Sequence, residues 1–97
     1  MRASERLPPE VEQLLRSVGA RARELRTEQG LTQAQVADAA GLVLQHVQAI
    51  EYGKQNITLA TLVMLAKALS VTVPALFELP SAATLRERRR RGRPPRG

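Results

Sequence analysis

Glycine divides the middle of this chain. Gly30, Gly41 and Gly53 each follow a run of apolar residues at helical spacing, and each is a natural C-terminal stop for that run. Between Gly30 and Gly53 there is room for two helices of about two to three turns each. The first opens at Thr32-Gln-Ala-Gln35, which fits a capping box: the threonine oxygen takes the third helical N–H and Gln35 reaches back. Its apolar side is Val36, Ala37 and Ala40. The second fits residues 43–52 and buries Val47 and Ile50. Their connection, centred on Gly41 and Leu42, is so short that the pair makes a helix-turn-helix, although an ordinary helical hairpin in a bundle gives the same pattern.

The flanking segments read as helices too. After Pro8 and Pro9, which suit a first helical turn, Val11, Leu14, Leu15, Val18, Ala22 and Leu25 mark one face of a helix running to about Gln29. Gly19 interrupts this pattern at a cost of roughly 1 kcal/mol against alanine, and reads as a joint between an N-terminal extension and the first helix of the domain. Thr58 caps a helix Leu59 to Leu69 whose expected buried stripe is Leu59, Leu62, Leu65, Ala66 and Leu69. A last short helix follows Thr72 or Val73, and Pro80 ends it. No strand pattern and no internal repeat occurs, so the expected class is all-α, with about five helices.

Composition narrows the function. The chain has no cysteine, which removes disulfides, thiolate metal sites and thiol catalysis, and one histidine, His46, too few for a His-based metal site. No glycine-rich phosphate loop and no nucleophile–base set is present, so neither an enzyme nor a bound cofactor or metal is expected. No apolar stretch approaches the roughly 20 residues needed to cross a bilayer, and the N-terminus lacks the apolar run of a signal peptide. A cytoplasmic protein, associated with the nucleoid, is the expectation. Residues 81–97 carry seven arginines and one acid, Glu87, while the other 80 residues hold eight basic and eight acidic side chains. All of the net charge of +6 therefore sits in the tail. A cationic arm on a neutral body, without apolar anchors, points to nucleic acid as the polyanion partner rather than to membrane. A solvated, disordered terminus is the alternative.

The stretch Val18 to Glu78 resembles the lambda-repressor-like (XRE-type) helix-turn-helix domain. The marks are Gly-Leu-Thr-Gln (30–33), Ala-Gly-Leu (40–42), Ile-Glu-x-Gly-Lys (50–54) and a leucine-rich fourth helix ending Ala-Lys-Ala-Leu. Each is weak alone; their order and spacing carry the resemblance. It implies a compact helix-turn-helix domain, which with the breaks read above gives an extension at 1–17, helical from about residue 9, a domain at 18–80 and a tail at 81–97. It also implies that the helix at 43–52 enters the DNA major groove. Position by position, Leu44, Gln45, Gln48 and Ala49 would face base edges, and His46 the rim. Gln33 would meet a phosphate at a helix start, and Lys54, Gln55 and Asn56 the neighbouring backbone. Arg26 and Glu51 match a structural ion pair between the first helix and the end of the recognition helix.

The chain departs from that family pattern at Leu42-Val43-Leu44, where polar or basic residues are usual, and no lysine or arginine lies between Leu31 and Gly53. The alternative to Leu44 facing bases is that Val43 and Leu44 are buried, or form a protein-binding patch on a domain that has lost DNA affinity. In the tail, Arg91-Gly92-Arg93-Pro94 resembles the core of an AT-hook, with Arg88, Arg89 and Arg90 as its basic flank. Minor-groove insertion and nonspecific phosphate binding both fit these arginines. The expected function is sequence-specific binding of double-stranded DNA by a homodimer that represses or autoregulates transcription. The alternatives are a protein-interaction module with a protein partner, and nonspecific nucleic-acid binding through the tail.

Overall fold

The computed structural model describes residues 6–80. The tail, and with it the expectation of disorder and the AT-hook-like segment, lies outside the described residues. Four α-helices follow in order: α1 (Pro9–Glu28), α2 (Gln33–Ala40), α3 (Leu44–Glu51) and α4 (Leu59–Ala68). A 3₁₀ helix, Val73–Phe77, closes the domain. The fifth helix of the sequence reading is thus a 3₁₀ turn. It is five residues long, begins at a β-branched residue followed by Pro74, and receives no side-chain cap from Thr72. So short a segment is better served by i→i+3 bonds than by an α-helical nucleus.

The helix ends follow the local chemistry of the sequence. The Thr32 hydroxyl accepts from the Gln35 backbone N–H at 3.0 Å while the Gln35 side-chain Oε1 accepts from the Thr32 N–H at 2.8 Å, closing the capping box. Thr58 accepts from the Thr61 N–H at 3.1 Å and starts α4. At the end of α2, Gly41 takes φ +72°, and the Leu42 N–H reaches back to the Ala37 carbonyl at 2.9 Å, a turn that a side chain-bearing residue adopts at a cost.

The core is aliphatic, as the scarcity of aromatic residues requires. Val18, Ala22 and Leu25 from α1 meet Val36 and Ala37 from α2, Val47 and Ile50 from α3, and Leu62, Leu65 and Ala66 from α4, with Leu69 and Leu76 beyond it. One expectation for an apolar residue fails. Leu59, assigned to the buried stripe of α4, is 77% exposed: it is the first residue of the helix, and the buried residues of α4 begin at Thr61 and Leu62. Leu14 is also exposed, whereas Leu15 and Leu76 are taken into the core.

Gly19 is not a joint, for α1 runs unbroken through it. It marks a close approach of α1 to the end of α3. A Cβ at this position would collide with the Ile50 carbonyl oxygen and stand 2.9 Å from that of Glu51. At the other end, Arg21 ties the 3₁₀ helix to α1: its Nε donates to the Ala75 carbonyl at 3.1 Å, and its Nη atoms bridge Glu24 at 2.7 Å and Glu78 at 3.1 Å. Gln29 donates from Nε2 to the Leu69 carbonyl at 2.7 Å, fastening the ends of α1 and α4.

Candidate nucleic-acid interface

Three elements converge at Glu51. This carboxylate, buried at the end of α3, accepts two hydrogen bonds from Arg26 of α1, from Nε to Oε2 at 2.7 Å and from Nη2 to Oε1 at 3.1 Å. Gln33, the first residue of α2, donates from Nε2 to the same Oε1 at 3.0 Å. Arg26 also donates from Nη1 to the Leu31 carbonyl at 2.9 Å, which holds the chain entering α2. A bidentate arginine–carboxylate pair fixes orientation as well as distance. The crossing of α2 and α3 is therefore pinned to α1 at its most polar point.

That anchorage leaves the outer side of α3 free of other elements. Residues 44, 45, 48 and 49 share one side of the helix, with Val47 and Ile50 on the other. Leu44 and Gln45 are exposed, and Gln48, Ala49 and His46 are half-buried. Val43, the N-cap, is 66% exposed and offers no side-chain hydrogen bond to the helix. The idea that Val43 and Leu44 are buried is thereby corrected. Beyond α3, Lys54 and Asn56 are exposed and Gln55 is half-buried.

Gln33 stands in a dual position. One hydrogen of its amide is committed to Glu51, and an amide nitrogen carries two. The second remains a donor beside the N-terminus of α2, where unpaired backbone N–H groups favour an anion. This hydrogen bond to Glu51 was not legible in the sequence, since Gln33 lies far from Glu51 along the chain. The uncapped start of α3 was legible in principle, because valine at an N-cap position offers no acceptor.

Neighbouring Arg16 on α1 was also missed. Its backbone lies against Gly53, where a Cβ would stand 2.7 Å from the Arg16 Cα, and together with Leu7, Tyr52 and Lys54 it lines an open hollow at the end of α3. Only the three-dimensional packing brings Arg16 beside Lys54.

Among the described residues, no group of three or more His, Cys, Asp or Glu side chains is placed to hold a metal. No helix there is long and apolar enough to cross a membrane. Every described buried side-chain nitrogen or oxygen has a hydrogen-bond partner.

A short helix pinned across another, with an exposed outer side beginning at a tight glycine turn, defines a helix-turn-helix DNA-binding protein. The helix-turn-helix family model (HTH_3) matches residues 23–76, and the chain belongs to that family, a class of DNA-binding transcription regulators rather than of enzymes. It is 41% identical over 55 residues to the control protein C.SmaI of Serratia marcescens, covering 57% of this chain and 66% of that protein. It is 42% identical over 55 residues to the uncharacterized HTH-type transcriptional regulator y4dJ of Sinorhizobium fredii, covering 57% of this chain and 71% of that protein. The solved structure of the restriction-modification controller protein C.AhdI from Aeromonas hydrophila superposes with a TM-score of 0.64 at 40% identity, over 65% of this chain and 96% of that one. The chain thus spans just under two thirds of C.SmaI and nearly all of the C.AhdI structure.

Proposed function

We propose that this protein is a dimeric, sequence-specific regulator of transcription that acts on double-stranded DNA in the cytoplasm, as a repressor or autoregulator. Residues 18–80 form the DNA-binding unit, and 81–97 are a cationic arm. The observation that carries this reading is the Glu51 junction: Arg26 and Gln33 hold α3 by its C-terminal end, and its outer side is left open toward a groove. In this reading Leu44, Gln45, Gln48 and Ala49 face base edges, with His46 at the rim. Gln33, Lys54, Gln55 and Asn56 meet phosphates, which set register without reading sequence. The likeness to C.SmaI, a control protein, and to y4dJ, a transcriptional regulator, supports an output on gene expression.

One such unit covers half a site, so a two-fold dimer matches a two-fold operator. Selection from random duplex DNA with the full chain tests the whole reading. The expected product is a pair of inverted half-sites whose centres lie about 10 base pairs, or a multiple of one turn, apart. Enrichment of no sequence at all would overturn it.

A further inference from the structure

The first residues of α3 have chemistry that narrows which base pairs they accept. Val43 is 66% exposed and Leu44 38%, while the aliphatic residues on the other side of α3, Val47 and Ile50, are fully buried. Val43 also occupies an N-cap. The helices on either side of α3 both use threonine there, Thr32 and Thr58, with the hydroxyl accepting a backbone N–H. Valine leaves that N–H without a side-chain partner and puts two methyl groups into solvent instead. No cation lies between Leu31 and Gly53, so this edge has nothing with which to seek guanine through arginine or lysine. Its polar groups are the amides of Gln45 and Gln48.

Resting on the DNA-binding reading above, we propose that Val43 and Leu44 are a methyl-reading edge that packs on thymine 5-methyl groups in the major groove. The neighbouring glutamine amides pair with adenine. Amide and aliphatic groups side by side complement the two halves of an A·T pair: the adenine N6 and N7 edge takes a bidentate amide, and the thymine C5 methyl takes an apolar contact. A G·C pair offers no methyl group and a different set of donors and acceptors. The specificity-determining feature is then an apolar surface that depends on water exclusion, and it gives the edge no electrostatic attraction of its own.

Deoxyuridine in place of thymine tests this without touching the protein, for it removes the methyl and keeps the pairing. Each thymine of the selected operator is replaced in turn and affinity for the full chain is measured. Affinity should fall about fourfold per methyl at one or two positions in each half-site, the weight of one buried group of that size. The Val43→Ser variant should lose that sensitivity at one of the positions while melting no lower than the parent, because serine restores the missing cap. Uridine tolerated at every position, with sequence preference still lost in Gln48→Ala, would overturn methyl reading while leaving the DNA reading intact. Absence of any selected preference would overturn both.

Discussion

The Arg26 guanidinium grips the Glu51 carboxylate along its planar edge, with Nε on Oε2 at 2.7 Å and Nη2 on Oε1 at 3.1 Å, and both side chains are largely withdrawn from water. Buried pairs of this kind contribute less to stability than to geometry, since desolvation offsets most of the attraction. Removing one partner is another matter, because the other charge is left inside. Glu51→Ala should therefore destabilise the fold by about 3–5 kcal/mol. For a domain of this size that is a fall in melting temperature of well over 10 °C, at about 4–8 °C per kcal/mol. Thermal unfolding followed by circular dichroism reads it, and an unchanged melting temperature would mean that the pair carries no weight. Replacing both partners together, Arg26→Met with Glu51→Leu, should recover part of the loss, as an apolar pair leaves no orphaned charge.

Gly19 sets two effects of opposite sign against each other. Helix propensity alone favours alanine by about 1 kcal/mol in the middle of α1. The structure opposes it, because the added Cβ would meet the Ile50 and Glu51 carbonyl oxygens of α3, and backbone atoms have little room to yield. Overpacking of this sort costs about 1–3 kcal/mol and more where backbone must move. Gly19→Ala should thus be net destabilising, by about 2 kcal/mol, with a lower urea midpoint. A raised midpoint would show that α1 and α3 stand further apart.

The contrast between Gly19 and Gly41 shows where the sequence was legible. Gly41 terminates α2 through local geometry, as do the threonine caps, so neighbouring residues suffice to place them. The helix-turn-helix and the Arg26–Glu51 pair also came from local motifs and family resemblance. Gly19 answers to a helix more than 30 positions away, and no local pattern distinguishes a joint from a close approach. Leu59 failed for a related reason: periodicity assigns a face to a residue, but whether anything covers that face on the first turn depends on the surrounding helices. At the candidate interface, the exposure of Leu44 and Gln45 depends only on α3 being anchored from one side, whereas the tie from Gln33 to Glu51 required the crossing angle of α2 and α3.

The proposal that the outer side of α3 reads bases makes a specific demand on Gln45 and Gln48. A bidentate amide–adenine pair is worth about 1–3 kcal/mol of discrimination. Gln45→Ala or Gln48→Ala should accordingly weaken binding to the selected operator by that amount and leave binding to random DNA nearly unchanged. Because Gln45 is exposed and Gln48 only half-buried, neither change should lower the melting temperature appreciably. Fluorescence anisotropy on the two kinds of DNA separates the cases. Equal losses on both would move base reading away from these positions.

The tail and the body should divide the electrostatics between them. Seven arginines and one acid in residues 81–97 account for the whole net charge of +6, and the remainder of the chain is neutral in sum. Log affinity falls with log salt at a slope of about −0.9 per phosphate neutralised. If Arg88 to Arg91 and Arg93 lie along the backbone, a chain ending at Pro80 should show a slope shallower by about 4–5 than that of the full protein. Its absolute affinity at low salt should fall steeply as well. Sequence preference should survive truncation, because the proposed reading gives the base edges to α3, and phosphate contacts carry no base information. Should the arginines enter an A·T-rich minor groove, truncation would in addition erase any preference for A·T-rich flanks. Titrations of both proteins on one selected operator, from low to moderate salt, measure the two slopes directly. Parallel lines would remove the tail from the interface and leave α3, with Gln33 and Lys54 beside it, to hold the DNA alone.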